Sequence, residues 1–289
     1  MKNKCIYGLL VGAMMAGACP VWGETVVGET VSPSDSIKLV VVSDNDALYY
    51  KVVKGVTSIV EKSALGITTS VGDFSTGLSE PSFTERLVDD SYSLPSGKRS
   101  RYDNTYKEAT VSCNKDGHTV QFIFRVYDDG VAYRYAILGS GDISVYAENS
   151  ECLPVRQEKV YSQQYTKNNQ ALYEENDREF MACELYTPLP LLVHTGSDYL
   201  LLTEAMVNGN YCGSSLFVNE ETKSYGWLVG NVAATLPLYT PWRVLMVGSL
   251  ESIAESVILE NLNDKTALTN LSWVKPGRAA VSYTHLTLP

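Results

Sequence analysis

Histidine is the scarcest chemistry-bearing residue here: three occur in 289 residues, and His285 stands almost at the end. A metal site built on imidazole would have to draw on His118 and His194, and no C-x-x-C pair is present to assist them. Also missing are a G-x-S-x-G elbow, an H-E-x-x-H helix, a glycine-rich phosphate cradle and a dinucleotide fingerprint, so the commonest serine-hydrolase, metalloprotease and nucleotide-binding designs are excluded. Positive charge is in short supply. The 23 Lys and Arg face 33 Asp and Glu, for a net charge of -10 and a pI near 4.9, and no basic stripe interleaved with aromatics overcomes that repulsion. Nucleic acid is therefore not a partner. After the first 23 residues no apolar run is long enough to cross a bilayer, so no transmembrane segment is expected.

What the chain does have is an ordinary globular composition, 45% hydrophobic and 19% charged, enough for one large core or two smaller ones. It opens with Lys2 and Lys4 ahead of an apolar, small-residue run from Ile6 to Ala18. This reads as a secretory signal over residues 1–23, with cleavage after Gly23 and export, the periplasm being the expected compartment. A lipoprotein signal ending at Cys19 is the alternative, weakened by Pro20 and by the missing Leu at its first position. Removing the leader leaves Cys113, Cys152, Cys183 and Cys212. In an oxidising compartment they can form one or two disulfides; buried free thiols are the other option.

From Asp35 onward the apolar pattern has a period of two. Ile37, Leu39 and Val41 run into Asp44-Asn45-Asp46 and return through Leu48 to Val53, a hairpin. The run from Val120 repeats the device, with Val120, Phe122, Phe124 and Val126 on one face and Asp129-Gly130 at the turn. Further strands are expected at Ala109–Cys113, Tyr199–Thr203, Ser224–Val229 and Arg243–Val247. One helix is expected, where Leu250, Ile253, Ala254, Val257 and Ile258 recur at helical spacing. Ser96–Ser100 and the polar stretch from Gln163 to Asp177 read as loops. The fold class is therefore all-β, a large antiparallel two-sheet sandwich with one or two short helices.

Carboxylates are the plentiful reactive groups. The cluster YEENDREF places Glu174, Glu175, Asp177 and Glu179 in the long polar stretch. It reads either as a solvated acidic turn or as a hard-cation site, since calcium takes several oxygen ligands. Glu204 differs, because it interrupts an apolar strand, where a carboxylate is expected at an end, in a salt bridge or in a functional role. Nineteen tyrosines permit sugar stacking without requiring it.

Several pieces then fall into one order. Ser32-Pro33 before a hairpin, the turn Ala64–Ile67, the hairpin Asp128–Tyr135, the strand Thr203-Glu204-Ala205, Thr240-Pro241-Trp242-Arg243 and Ser272-Trp273-Val274-Lys275-Pro276-Gly277 follow one another as in glycoside hydrolase family 97. The chain resembles that family's N-terminal domain up to about Ala280. The resemblance implies a secreted, exo-acting α-glucosidase or α-galactosidase made of an N-terminal β-super-sandwich, a (β/α)8 barrel and a small C-terminal β-sandwich. Calcium (Ca2+) is then held mainly by barrel glutamates, with one ligand from an acidic, Tyr-rich loop of the N-terminal domain. Here that ligand corresponds to Glu174, with Glu175 as the alternative. The family's acid, base and nucleophile all belong to the barrel, so this chain is expected to contribute no catalytic residue. Its expected partners are an α-linked oligosaccharide and the barrel.

The expected organisation is a leader at 1–23, the β-super-sandwich at 24–271, a linker toward a barrel at 272–280, and a non-native tail at 281–289. On its own the fragment is expected to bind no calcium. A stand-alone secreted carbohydrate-binding β-sandwich is the other functional reading, and a structural or assembly role is a third.

Overall fold

Short alternating runs separated by Asp, Asn and Gly turns can only bury their apolar sides by pairing with neighbouring strands, and the chain does this almost throughout. The computed structural model describes residues 24–94, 96–166, 171–176, 186–275 and 277. The leader, the segment 281–289, Asp177, Glu179 and Cys183 lie outside the described residues. Strands β1 (Thr25–Val31), β2 (Ile37–Asp44), β3 (Ala47–Lys54) and β4 (Thr57–Leu65) form one antiparallel sheet in chain order. The β2–β3 turn sits where Asp44-Asn45-Asp46 predicts it. Asn45 and Asp46 take φ of 50° and 58°, a left-handed conformation that these two residue types tolerate best.

The chain continues through β5 (Ile67–Thr69), β6 (Gly72–Asp73), β7 (Ser79–Ser93), β8 (Arg101–Lys115), β9 (His118–Tyr127), β10 (Gly130–Glu148) and β11 (Glu151–Cys152). There follow β12 (Lys159–Gln163), β13 (Tyr173–Asn176), β14 (Leu191–His194), β15 (Tyr199–Ala205), β16 (Ser215–Val218), β17 (Tyr225–Leu228), β18 (Val232–Tyr239) and β19 (Trp242–Gly248). Twelve of these strands make the second sheet, in the order β13-β12-β14-β15-β19-β10-β9-β8-β7, with β18 and β5 on the far part of β10 and β6 on β5. The third sheet is β11-β17-β16; its β17 is the strand expected at Ser224–Val229, but a third sheet was not part of the two-sheet expectation. The all-β sandwich itself agrees with it.

The two large sheets meet over one core. Val120, Phe122, Phe124 and Val126 of β9 are all buried on the inner face, as their alternation predicts, beside Tyr133 and Tyr135 of β10 and opposite Ile37, Leu39, Val41 and Tyr50. Tyr50 and Tyr133 lie 5.3 Å apart, and Phe122 meets Tyr135 edge-on at 5.4 Å. Burying each such side chain contributes about 1.5–3 kcal/mol. At the join between the sheets, the Gly66 N–H donates to the Tyr135 hydroxyl at 3.0 Å, and a Cβ at Gly66 would stand 2.8 Å from the Ser75 Cα. The close approach of these two backbones requires glycine.

A second apolar cluster covers the outer face of the large sheet, where Ala132, Ala136, Trp242, Val244 and Met246 pack with Ile258 and Leu262. The helical segment departs from expectation. It is two helices, α1 (Leu250–Glu255) and α2 (Ile258–Leu262), and only α2 buries residues. Ser256 causes the break: it leaves the helical region at ψ 140°, its hydroxyl accepts from the Ile258 N–H at 3.3 Å, and its carbonyl accepts from Lys98 at 2.7 Å. The stretch from Gln163 to Asp177 is also corrected, because β13 lies inside it and pairs with β12. Its YEEN lacks apolar alternation, yet a short strand at a sheet edge can carry charges toward water.

Candidate functional sites

Glu174 and Glu175 sit on an edge strand rather than in a loop, and strand alternation separates them. Tyr161 pairs with Glu175 and Ser162 with Glu174. Glu175 therefore shares a face with Lys159, 3.1 Å away, and with Tyr161, whose hydroxyl donates to it at 3.1 Å. Those two hydrogen bonds, the one from Lys159 first, hold the Glu175 carboxyl below its ordinary value. Glu174 faces the other way, beside Ser162 and Asn176, is exposed, and has no ion pair among the described residues. Nearby, Tyr165 and Tyr186 meet edge-on at 6.3 Å, and the Tyr173 hydroxyl donates to the Pro190 carbonyl at 3.3 Å.

Among the described residues no three His, Cys, Asp or Glu side chains gather closely enough to hold a metal. His194 is engaged otherwise, 3.3 Å from Glu158 and against the Tyr199 ring. No disulfide forms among the described cysteines. Cys113 and Cys152 are buried free thiols and Cys212 is an exposed one.

The densest polar chemistry lies in the interior. Arg243 points inward from β19 with no exposed surface, and its Nε and one terminal nitrogen grip both oxygens of Glu148 at 2.7 and 2.5 Å. The other terminal nitrogen reaches Glu204 at 2.6 Å and the Ser214 hydroxyl at 2.9 Å. The Tyr211 hydroxyl donates to Glu148 at 2.7 Å, while the Ser214 N–H and hydroxyl donate to Glu204 at 3.1 and 2.8 Å. Burial disfavours the charge on Arg243, but Glu148 and then Glu204 more than reverse this and raise its pKa. Burial, reinforced by Glu148, likewise pushes the Tyr211 hydroxyl up.

A salt bridge, one of the roles expected for Glu204, is thus present, with Arg243 as its partner. Glu148 and Tyr211 were missed; the available signal was that Glu148, like Glu204, ends an alternating apolar strand. Arg243 and the Glu148 side chain are sealed from water, with Glu204 only 16% exposed, and the network's work is structural. It fastens both ends of the segment between β15 and β16: Glu204 and Ser214 are tied together through Arg243, and Tyr211 is tied to β10 through Glu148.

That fastened segment forms one wall of a cleft of about 800 Å³ on the outer face of β10 and β18. Arg134, Asp142 and Tyr239 rise from the strands, Asn208 and Asn210 from the segment, and Asp264 closes one side. Met206 enters the segment at φ 60°, a strained conformation for a non-glycine residue. Asn208 then accepts from the Asn210 N–H at 2.9 Å. The Arg134 guanidinium stacks on Trp242 at 4.4 Å and on Tyr239 at 5.0 Å. It has no ion pair among the described residues, and its buried Nε has no hydrogen-bond partner. Burial, and after it the like charge of Arg125, lower its pKa.

Residues 30–264 match the family model described as glycosyl-hydrolase 97 N-terminal. The sequence is 29% identical over 265 residues to a probable retaining α-galactosidase of Streptomyces bingchenggensis (strain BCW-1), covering 88% of this chain and 40% of that protein. It is 24% identical over 292 residues to a retaining α-galactosidase of Bacteroides thetaiotaomicron, covering 86% of this chain and 43% of that one. The fold matches a glycoside hydrolase family 97 enzyme from Pseudoalteromonas sp. strain K8, solved with panose, at a TM-score of 0.78 and 20% identity, over 86% of this chain and 40% of that one. It matches a β-arabinopyranosidase at a TM-score of 0.71 and 25% identity, over 76% and 40% of the two chains. The chain spans about two fifths of the length of these relatives.

Proposed function

The chain belongs to glycoside hydrolase family 97, as its N-terminal domain, and on that premise we propose that it serves as the substrate-site and structural domain of an exported, calcium-dependent, exo-acting α-glycosidase in carbohydrate catabolism. The enzyme is an α-glucosidase or an α-galactosidase. The observation that carries this reading is the family match over residues 30–264 combined with coverage of only about two fifths of the curated relatives. On this reading the chain is not itself catalytic: the acid, the base or nucleophile and most calcium ligands come from a barrel domain of the kind the longer relatives have room for. The leader, residues 1–23, would send it to the periplasm, with lipid attachment at Cys19 as the minor alternative.

Within this reading Glu174 supplies one calcium ligand to a site that barrel carboxylates complete. Two features support Glu174 over Glu175. Glu175 is occupied by Lys159 and Tyr161, whereas Glu174 stands exposed on the other face of an edge strand with no ion pair among the described residues. A bound calcium would supply a fixed positive charge that polarises the site, and the role of Glu174 would be to hold it against the sandwich. The deciding experiment is to sequence the native gene downstream of the codons for Lys275-Pro276-Gly277. The frame is expected to continue there into a first barrel strand and, further on, paired carboxylates; a native frame that stops at Pro289 would overturn the reading. Glu174→Gln in the complete enzyme is expected to weaken calcium binding, measured by titration after chelation, and an unchanged affinity would remove Glu174 from the site.

A further inference from the structure

We propose that the outer-face cleft of β10 and β18 is a saccharide-binding site in its own right, distinct from the Glu174 edge, and that its ligand is a neutral sugar with vicinal hydroxyls. Three observations carry this.

The first is the lining. Arg134 brings only hydrogen-bond donors to the lining, Asp142 and Asp264 bring only acceptors, and Asn208 and Asn210 bring both. Such a mixture suits hydroxyl groups, each of which donates once and accepts twice. It suits a carboxylate ligand poorly, because the one cation among the lining residues is outnumbered by two anions. The second is Tyr239, 46% exposed in the middle of this polar surface. One side of its ring is taken by Arg134, and the remaining exposed aromatic surface offers a platform for the C–H face of a sugar ring. The third is rigidity. The segment bearing Asn208 and Asn210 is fastened at both ends by the buried Arg243 network and enters through the strained Met206, so little ordering remains to oppose binding.

The test titrates the full chain by calorimetry with maltotriose, melibiose and sodium glucuronate, in excess EGTA so that calcium chemistry plays no part. At least one neutral sugar is expected to bind in the millimolar range. Tyr239→Ala should weaken it about fivefold or more, Asp142→Asn should weaken it measurably, and Leu87→Ala, on the distant β7, should leave it unchanged. All variants are checked for an unaltered melting temperature, and the Asp142 variant stands alone if the Tyr239 variant does not fold. The proposal is overturned if neither neutral sugar binds, if only glucuronate binds, or if binding survives the cleft substitutions undiminished. Because EGTA is present, a negative result leaves the calcium reading of Glu174 standing.

Discussion

Replacing Arg243 by Met tests the interior network most directly. The substitution keeps an unbranched chain of similar length but removes four hydrogen bonds, two to Glu148, one to Glu204 and one to Ser214. Glu148 is left as a carboxylate with no solvent contact and only the Tyr211 hydroxyl to compensate. Stranding a buried charge costs about 3–5 kcal/mol, against a total stability of roughly 5–15 kcal/mol for a domain. At about 2–4 °C per kcal/mol for a domain of this size, Tm should fall by roughly 6–20 °C. Urea unfolding followed by tryptophan fluorescence gives the free energy independently.

The sign of the pH dependence is diagnostic. The penalty exists only while a stranded carboxylate is charged, and protonation removes it, so the variant's deficit against wild type is smallest in acid and grows toward neutral pH. Arg243→Met should therefore be least impaired in acid and most impaired at neutral pH. Removing all three charges, with Glu148→Leu and Glu204→Met added, should recover most of the loss. A Tm drop of less than about 2 °C in the single variant, or a deficit that does not grow with pH, would refute the view that Arg243 exists to neutralise two interior carboxylates.

Glu108 on β8 should behave in the opposite sense. Burial works against its charge, but Arg86 and Arg125 hold its carboxyl below the ordinary value, so its contribution is present above the unfolded pKa and lost as pH falls through the folded one. Glu108→Gln is expected to cost about 1–3 kcal/mol at pH 7, by urea unfolding, with the gap to wild type closing below about pH 4. Gly66→Ala should cost about 1–3 kcal/mol through crowding, and adding Ser75→Ala should not relieve it, because the Ser75 Cα itself is 2.8 Å from the new methyl. Burial pushes the Cys113 thiol up to about 11 and the Cys152 thiol up to about 12. Mass mapping after brief iodoacetamide treatment should find both unlabelled until unfolding, while Cys212 is labelled in the native state.

Where one face of a strand is buried, the sequence was readable. The alternation of Val120 to Val126, the Asp44–Asp46 turn and the misfit of Glu204 in an apolar strand all emerged because burial and period are local signals. What failed depends on contacts that local pattern does not encode. Strand β7 has hardly any buried side chain, so nothing in its composition marks it as part of a sheet. Glu148 and Tyr211 reach their partners across 95 and 63 residues. The α1–α2 break depends on Lys98 and on the position of Ser256 against the sheet, which helical spacing cannot foresee. The cleft around Arg134 was invisible for the same reason, since its lining comes from β10, β18, the segment before β16 and Asp264.

The exposed face of β7 has one more consequence. It is a 15-residue strand whose second edge pairs with no strand among the described residues, and an open edge of that length is a template along which two copies of a protein can zip together. The strand carries its own deterrents. Pro81 removes a donor, the register slips between Ser79 and Ser82 where Glu80 takes φ 52°, and Glu85, Arg86, Asp89 and Asp90 would bring charge against charge in any intruding strand. Among the described residues, the twelve-stranded sheet therefore ends in an edge that discourages pairing with a second copy.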